Sequence, residues 1–278
     1  IGNLEDTDPT HPDGYGYRMF QDADNGFAES PTYSWVEIDP TLGGPGTFVS
    51  INDPSAGHDT STTINLPFPF SFYGVIYSQI TICSNGFVSF GETDESYFRN
   101  YSLPAIASPD NMVCVFWDDL SMPAGSHIGQ YHDVTGGRFI IEWSRLANQY
   151  GTGLEETFEL ILLDTDCWPT RTGDGDLIMQ YLALNNVDSW DNYATIGLQD
   201  RDQGYALEVT YANRLAPGVS VLRSGQAFLL TTGRPTAGAY ISYAGNIVDD
   251  DSTGGSFGNG DGVPQNAETI QFQVQLLN

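Results

Sequence analysis

The chain has 278 residues, of which 40% are hydrophobic and only 16% are charged, with 31 Gly and 15 Pro. This composition excludes an intrinsically disordered chain and favours a turn-rich β-protein with a sizeable core. The net charge of −27 arises because Lys is absent and all nine basic residues are Arg. No basic patch can form, so we expect no binding to nucleic acid or to anionic membranes, and cations are the natural partners.

The first residues, Ile1-Gly2-Asn3, contain no Met, no basic segment and no apolar segment of a signal peptide. We therefore expect a processed or excised form of a longer precursor. No apolar run reaches the length that spans a bilayer, so no membrane insertion is predicted. Cys83 and Cys114 fall in apolar strands and are predicted to be buried hydrophobes, although a bridge between them would leave Cys167 over.

Strand signals recur along the chain, whereas no amphipathic helical pattern of ten residues or more is evident. Residues 1–50 are predicted to form a loop-rich leader, apart from a periodic run at 33–38. Asn85-Gly86 joins two β-rich runs and predicts a hairpin with a type I′ turn. The further predicted strands are Met112–Trp117, Arg138–Ser144, Thr157–Leu163, Leu177–Leu184, Tyr193–Leu198, Ala206–Tyr211 and Ala227–Thr232.

The spacing of these strands predicts an all-β fold, an antiparallel β-sandwich of jelly-roll-like type. The sandwich is expected to occupy residues 1–232. Residues 233–278 are expected to hold a linker (233–238), an acidic Gly-rich loop and a short C-terminal strand unit.

The C-terminal strand alternates without interruption from Thr269 to Leu276. Its apolar face comprises Ile270, Phe272, Val274 and Leu276. Only one earlier segment, 240–248, lies close enough to form a hairpin with it, and an isolated hairpin is marginal in water. We therefore expect these four residues to bind the main body, a second copy of the chain or another surface protein.

The acidic loop before this strand partly matches a calcium-binding loop of the pattern D-x-[DN]-x-[DN]-G-x₅-E. Phe257 occupies the first position of that pattern, where a carboxylate is required, so an aspartate from the start of the loop would have to replace it. A solvated acidic turn remains the alternative. The predicted calcium ligands are Asp249, Asp251, Asn259, Asp261, the backbone carbonyl near Val263, and Glu268.

Several phrases along residues 6–232 together resemble the non-catalytic β-domain found downstream of the peptidase domain in gingipain-like and related secreted bacterial proteins. The closing acidic segment resembles the start of the Ig-like domain that often follows. The resemblance implies an architecture and no catalytic residues. The phrases are 12–17 (PDGYGY), 31–38 (PTYSWVEI), 66–74 (LPFPFSFYG), 80–86 (ITICSNG), 116–120 (FWDDL), 139–143 (FIIEW), 172–176 (TGDGD) and 194–198 (ATIGL).

Particular residues also suggest two other functions, a hydrolase and a carbohydrate-binding module. Asp118 and Asp119, with His132 and Glu142, suggest a paired-carboxylate hydrolase, but strand-end turns and a solvent-facing or Arg145-paired Glu142 explain these residues more simply. A carbohydrate-binding module would use loop aromatics, although such rings also pin loops to a core. Those aromatics are Tyr15, Tyr17, Trp168 and Trp190.

The sequence as a whole predicts a secreted or cell-surface module without enzymatic activity, stabilised by calcium. It would assemble into fibres or larger structures by strand exchange through its C-terminal strand. The alternatives are an accessory domain of a secreted cysteine protease and a carbohydrate-binding module.

Overall fold

The computed structural model describes residues 5–54, 58–148, 154–185, 193–236 and 242–277. The chain divides into two units, Ile1–Arg234 and Pro235–Asn278. In chain order the strands are β1 (Arg18–Gln21), β2 (Thr47–Phe48), β3 (Ser61–Phe72), β4 (Val75–Cys83), β5 (Phe87–Phe90), β6 (Met112–Trp117), β7 (Leu120–Ser121), β8 (His127–Asp133), β9 (Arg138–Asn148), β10 (Glu155–Leu163), β11 (Leu177–Ala183), β12 (Thr195–Gln199), β13 (Ala206–Tyr211), β14 (Arg214–Leu215), β15 (Gln226–Thr231), β16 (Ser242–Asp249) and β17 (Gln271–Leu277).

The first unit is the predicted antiparallel sandwich. One sheet has eight strands in the order β1-β15-β11-β10-β9-β8-β2, with β7 paired to β9. The other has seven strands in the order β14-β13-β12-β6-β5-β4-β3. The single described helical element is one 3-10 turn, Pro40–Leu42, so the all-β prediction is confirmed.

The core lies between the two sheets, and large aromatic side chains fill it. Two of these rings also hydrogen-bond from one sheet to the other. The Trp143 indole on β9 donates to the carbonyl of Cys83 on β4 at 2.8 Å. The Tyr181 hydroxyl on β11 donates to the carbonyl of Val115 on β6 at 2.8 Å. Each ring thus buries its apolar body while its polar atom keeps a partner.

The outer face of each sheet carries a smaller apolar cluster. On the seven-stranded sheet it includes Cys83, Cys114 and Trp117, and both cysteines are buried free thiols. On the eight-stranded sheet it comprises Ile140, Ile161 and Leu163, together with Ile38.

The periodic run at 33–38 lies in the loop-rich leader. These residues form no strand and instead cross the outer face of the eight-stranded sheet as an extended segment that leads into the 3-10 turn. We call residues 33–44 the strap. The leader contributes both edge strands of this sheet, since β1 pairs with β15 and β2 pairs with β8.

The predicted hairpin at Asn85-Gly86 is present, but its type I′ turn is wrong. Gly86 has a φ of 76°, whereas Asn85 does not have the positive φ that such a turn requires. The Gly86 N–H donates to the carbonyl of Cys83, and Cys83 and Phe87 flank a three-residue loop. The Asn85 amide instead joins neighbouring segments, since it donates to Asp59 and accepts from the Leu120 N–H.

Candidate functional site

The second unit contains a two-stranded sheet, β16 and β17, which pair antiparallel. Val248 lies opposite Phe272, and Asn246 lies opposite Val274, so these four side chains share one face. The predicted apolar side chains of β17 are largely exposed: Phe272 at 56%, Val274 at 55% and Leu276 at 59%; Ile270 is half-buried. Such exposure of a row of large apolar groups is the usual mark of an interaction surface.

Each strand of this sheet also has one edge unpaired among the described residues. An unpaired edge presents backbone N–H and C=O groups that can accept a further strand. The unit therefore combines an apolar face with a free edge. Its 240–248 partner segment was predicted from the sequence, and residues 240 and 241 lie outside the described residues.

The loop between β16 and β17 contains the predicted calcium ligands, which fall into two groups. In the first, Asp249 and Asp251 both accept hydrogen bonds from the Ser256 hydroxyl, at 2.8 and 3.3 Å. Asp251 also accepts a hydrogen bond from the backbone N–H of Thr253. This bond is the largest of the influences that hold the pKa of Asp251 below its ordinary value.

The second group contains Asn259, Asp261 and Glu268. The Glu268 carboxylate accepts from the backbone N–H groups of Asn259 and Gln265, while Asp261 accepts from the N–H of Val263. The Val263 side chain is exposed.

Asp250 connects the two groups, although sequence reasoning passed it over in favour of its neighbours. Its carboxylate accepts from the Gly262 N–H at 3.1 Å, and its carbonyl accepts from the Gly260 N–H at 3.2 Å. Its side chain is 2% exposed, whereas Asp251 and Asp261 are exposed. The one feature of the sequence that pointed to Asp250 was its position at the centre of the run Asp249-Asp250-Asp251.

The donor chemistry of this loop suits calcium, since its side chains offer carboxylate and amide oxygens. Within the described residues, however, no three His, Cys, Asp or Glu side chains converge as a metal-binding group. The carboxylates accept hydrogen bonds from loop N–H groups instead. Calcium binding at Asp249, Asp251, Asn259, Asp261, Val263 and Glu268 therefore stays a prediction.

The hydrolase residues do not form one group. The Asp118 carboxylate accepts from the Asp119 N–H and the Asn148 amide at a strand end. His132 lies opposite Phe139, whose side chain faces the core, whereas Glu142 shares the other sheet face with Ile140. The expected solvent-facing or Arg145-paired position of Glu142 is wrong, because Glu142 is 1% exposed beneath the strap and Arg145 pairs with Asp39.

The aromatics considered for sugar binding are placed differently from one another. Tyr17 is fully buried, and the Tyr15 hydroxyl donates to Asp174 at 2.8 Å, so both rings pin the leader to the sandwich. Trp168 is 51% exposed, with its indole N–H bonded to the carbonyl of Gly136. Trp190 lies outside the described residues.

The sequence did not predict the burial of three carboxyl groups, those of Glu142, Glu156 and Glu159, each at most 1% exposed. Burial raises the pKa of Glu142 to about 7 and that of Glu156 to about 8, and it raises the pKa of Glu159 well above its ordinary value. The sequence offered a weak signal, since Glu142 and Glu159 each stand between large apolar residues of β9 and β10.

A comparison with known protein families assigns this chain to a family. The fold is all-β, and the model of the family described as NIDO related matches residues 32–244, more than half of the chain. The chain therefore belongs to the NIDO-related family. Domains of this family are typically extracellular.

No curated protein and no solved structure matches the chain. In the described part of the chain, no helix is long and apolar enough to cross a membrane. The family match names no protease, so the resemblance to domains of gingipain-like proteins stays a prediction.

Proposed function

We propose that this chain is a non-catalytic structural module of an extracellular protein that associates with further copies of itself through its C-terminal strand unit. The observation that carries the proposal is the exposed apolar face of Phe272, Val274 and Leu276 on a sheet of only two strands. A hairpin of that size gains little stability alone, so covering this face would stabilise it.

A second copy of the chain is the partner that the strand chemistry favours. The free edge of β17 can pair with a strand of a neighbour, while the alternating side chains set the register. A contact of this kind joins two different surfaces, and it propagates into a fibre unless the rotation closes a ring.

The experiment compares two double variants by sedimentation velocity over a range of concentrations. Phe272→Ser with Val274→Ser removes the apolar face and is expected to leave only monomer. The matched control, Gln273→Ser with Gln275→Ser, changes the opposite face of the same strand and should assemble like the parent chain. Equal assembly by both variants would contradict the proposal, and so would a parent chain that stays monomeric at every concentration.

Calcium is proposed to order the acidic loop that joins the two strands. The carboxylates of Asp261 and Glu268 now accept backbone N–H groups of the loop, and calcium would supply a stronger partner for the same oxygens. Isothermal titration of the parent chain with calcium should give saturable heat that Asp261→Asn with Glu268→Gln abolishes. Asp164→Asn, in another acidic loop, is the matched control. Absence of heat with the parent chain at millimolar calcium would contradict a site in this loop.

The protease-accessory and carbohydrate-binding alternatives predict different results. Of the described aromatics considered for sugar binding, Trp168 has the largest exposed fraction, 51% against 40% for Tyr15, and its ring is the one that most favours a sugar. Binding of a glycan that is lost in Trp168→Ala would support the carbohydrate-binding function instead of the structural one.

A further inference from the structure

The strap, residues 33–44, lies over a pair of buried glutamates on the outer face of the eight-stranded sheet. Glu142 on β9 and Glu159 on β10 are directly opposite each other in the register, and Gln180 on β11 lies opposite Glu159. All three side chains are at most 2% exposed. Directly opposed residues of an antiparallel pair have Cβ atoms about 5 Å apart, so the two carboxyl groups are neighbours.

The strap is bonded to this polar row by its own backbone. The Ile38 N–H donates to the Glu142 carboxyl at 3.0 Å. Ser34 both donates to and accepts from the Gln180 side-chain amide, whose nitrogen also donates to Glu159. An ion pair between Arg145 and Asp39, at 2.8 Å, holds the far end of the strap.

Each glutamate keeps one oxygen without a hydrogen-bond partner. These atoms are Glu142 Oε1 and Glu159 Oε2, and both are buried. A buried acceptor without a partner lowers the stability of the fold because its hydration is lost. Two ionised carboxylates side by side out of water lower it far more. A proton on one carboxyl group would let it donate to the other and would remove one of the two charges.

We propose that the strap is a pH-sensitive latch, closed while Glu142 and Glu159 share at least one proton and released when both are ionised. Release would hydrate the two carboxylates and uncover the apolar cluster of Ile140, Ile161 and Leu163. The strap would then switch the outer face of this sheet between a covered and an exposed state.

The surrounding charges favour retention of the proton. From the strap, Glu37 and Asp39 face Glu142 and oppose its ionisation. From β9, Arg138 favours the ionised form of Glu159, and the Ser144 hydroxyl favours that of Glu142, but burial is the larger influence on both.

Tyr33 of the strap also lies near Glu159. The neighbouring strand β8 adds His127, opposite Ser144, and Tyr131, packed near Ile140.

The direction of the pH dependence follows from burial. Burial raises the pKa of Glu142 to about 7 and that of Glu159 well above its ordinary value, so the latch is fully closed below the ordinary carboxyl range and opens only as pH rises far enough to ionise the second of the two groups. Burial is the main cause of the raised pKa of Glu159, and the charge on Glu142 raises it further.

Hydrogen–deuterium exchange of the whole chain tests the latch. Protection factors, which remove the intrinsic pH dependence of exchange, should fall about tenfold or more for residues 33–44 between about pH 5.5 and about pH 8.5. In Glu159→Gln, protection should change by less than about threefold over this range, because no second charge can form. Glu142→Gln provides a second variant with the same expectation.

Glu156→Gln is the matched control. Glu156 is also buried on β10, but it lies opposite Leu146 of the core and bonds to the Asn185 N–H, away from the strap. This variant should keep the pH dependence of the strap. Protection of residues 33–44 that does not change with pH in the parent chain would overturn the proposal, as would an unchanged loss of protection in both Glu159→Gln and Glu142→Gln.

Discussion

Gly86 lies where the loop between β4 and β5 meets the end of β6. Its φ of 76° is in the left-handed region, and an added Cβ would collide with the carbonyl oxygen of Phe116. Its own carbonyl accepts the N–H groups of Val115 and Phe116, so the loop cannot move away without loss of those bonds.

Gly86→Ala is therefore expected to lower the free energy of unfolding by about 3 kcal/mol, because strain and close approach act together. Gly173→Ala is the matched control, since Gly173 has a φ of 86° but open space around it. This control should cost only about 1 kcal/mol, the left-handed strain alone. Urea denaturation measures both, and equal losses would show that the Phe116 contact has no effect.

The turn at Asn85 and the position of Glu142 depend on contacts that the local sequence does not reveal. The Asn85-Gly86 pair predicted the hairpin, because a glycine with positive φ is a local requirement. The turn type was wrong because Asn85 bonds to Asp59 and Leu120, which are distant in sequence. Glu142 was misplaced for the same reason, since nothing local to β9 shows that the strap covers it.

At the scale of elements, β3 shows how an exposed sheet edge is protected. It is an outermost strand of its sheet, and its pairing with β4 is interrupted between Asn65 and Phe70. Pro67 and Pro69 lie in this interruption with exposed side chains, while Leu66 and Phe68 are buried. Proline on an edge strand removes the N–H groups that a foreign strand would bond.

Replacement of Pro67 and Pro69 by Thr is expected to change the free energy of unfolding by less than about 1 kcal/mol, yet to promote aggregation. Static light scattering during incubation would record the aggregation. The control, Pro40→Thr, alters a proline of the 3-10 turn and leaves the β3 edge intact. A double variant that stays as soluble as the parent would remove the protective role of these prolines.

Elements with clean alternation or continuous apolar runs were predictable. The segment Thr269–Leu276 corresponds to β17, and Met112–Trp117 coincides with β6. Strands such as β1, β2 and β8 were missed, because polar residues and glycines mask their alternation and distant partners stabilise them. The exposure of the β17 apolar face could not be predicted, since alternation defines the two faces of a strand and not what covers them.

At the scale of the whole molecule, buried carboxyl groups set the pH dependence of stability. Burial raises the pKa of Asp24 and Asp119 to about 6, and those of Glu142 and Glu156 to about 7 and about 8. Each such group stabilises the fold fully below its unfolded pKa, and this contribution is lost as pH rises through the folded pKa. Stability of the sandwich should thus fall between about pH 5 and about pH 8.5, by about 2 kcal/mol or more.

The opposite dependence applies to Asp133, whose pKa is lowered by the Gly136 N–H and by Arg138. Its contribution is present above its unfolded pKa and is lost as pH falls. Stability should therefore be greatest at mildly acidic pH. Urea denaturation across the pH range checks this, and Glu156→Gln should flatten the alkaline limb. A maximum at pH 8 or above would contradict the burial of these carboxyl groups.

We propose that the C-terminal strand unit joins copies of this chain and that calcium orders its loop. Negative-stain electron microscopy of the purified chain, first with calcium and then with EDTA, tests it most directly. We expect filaments or rings in calcium that disperse after chelation. Dispersed single particles under both conditions would contradict it.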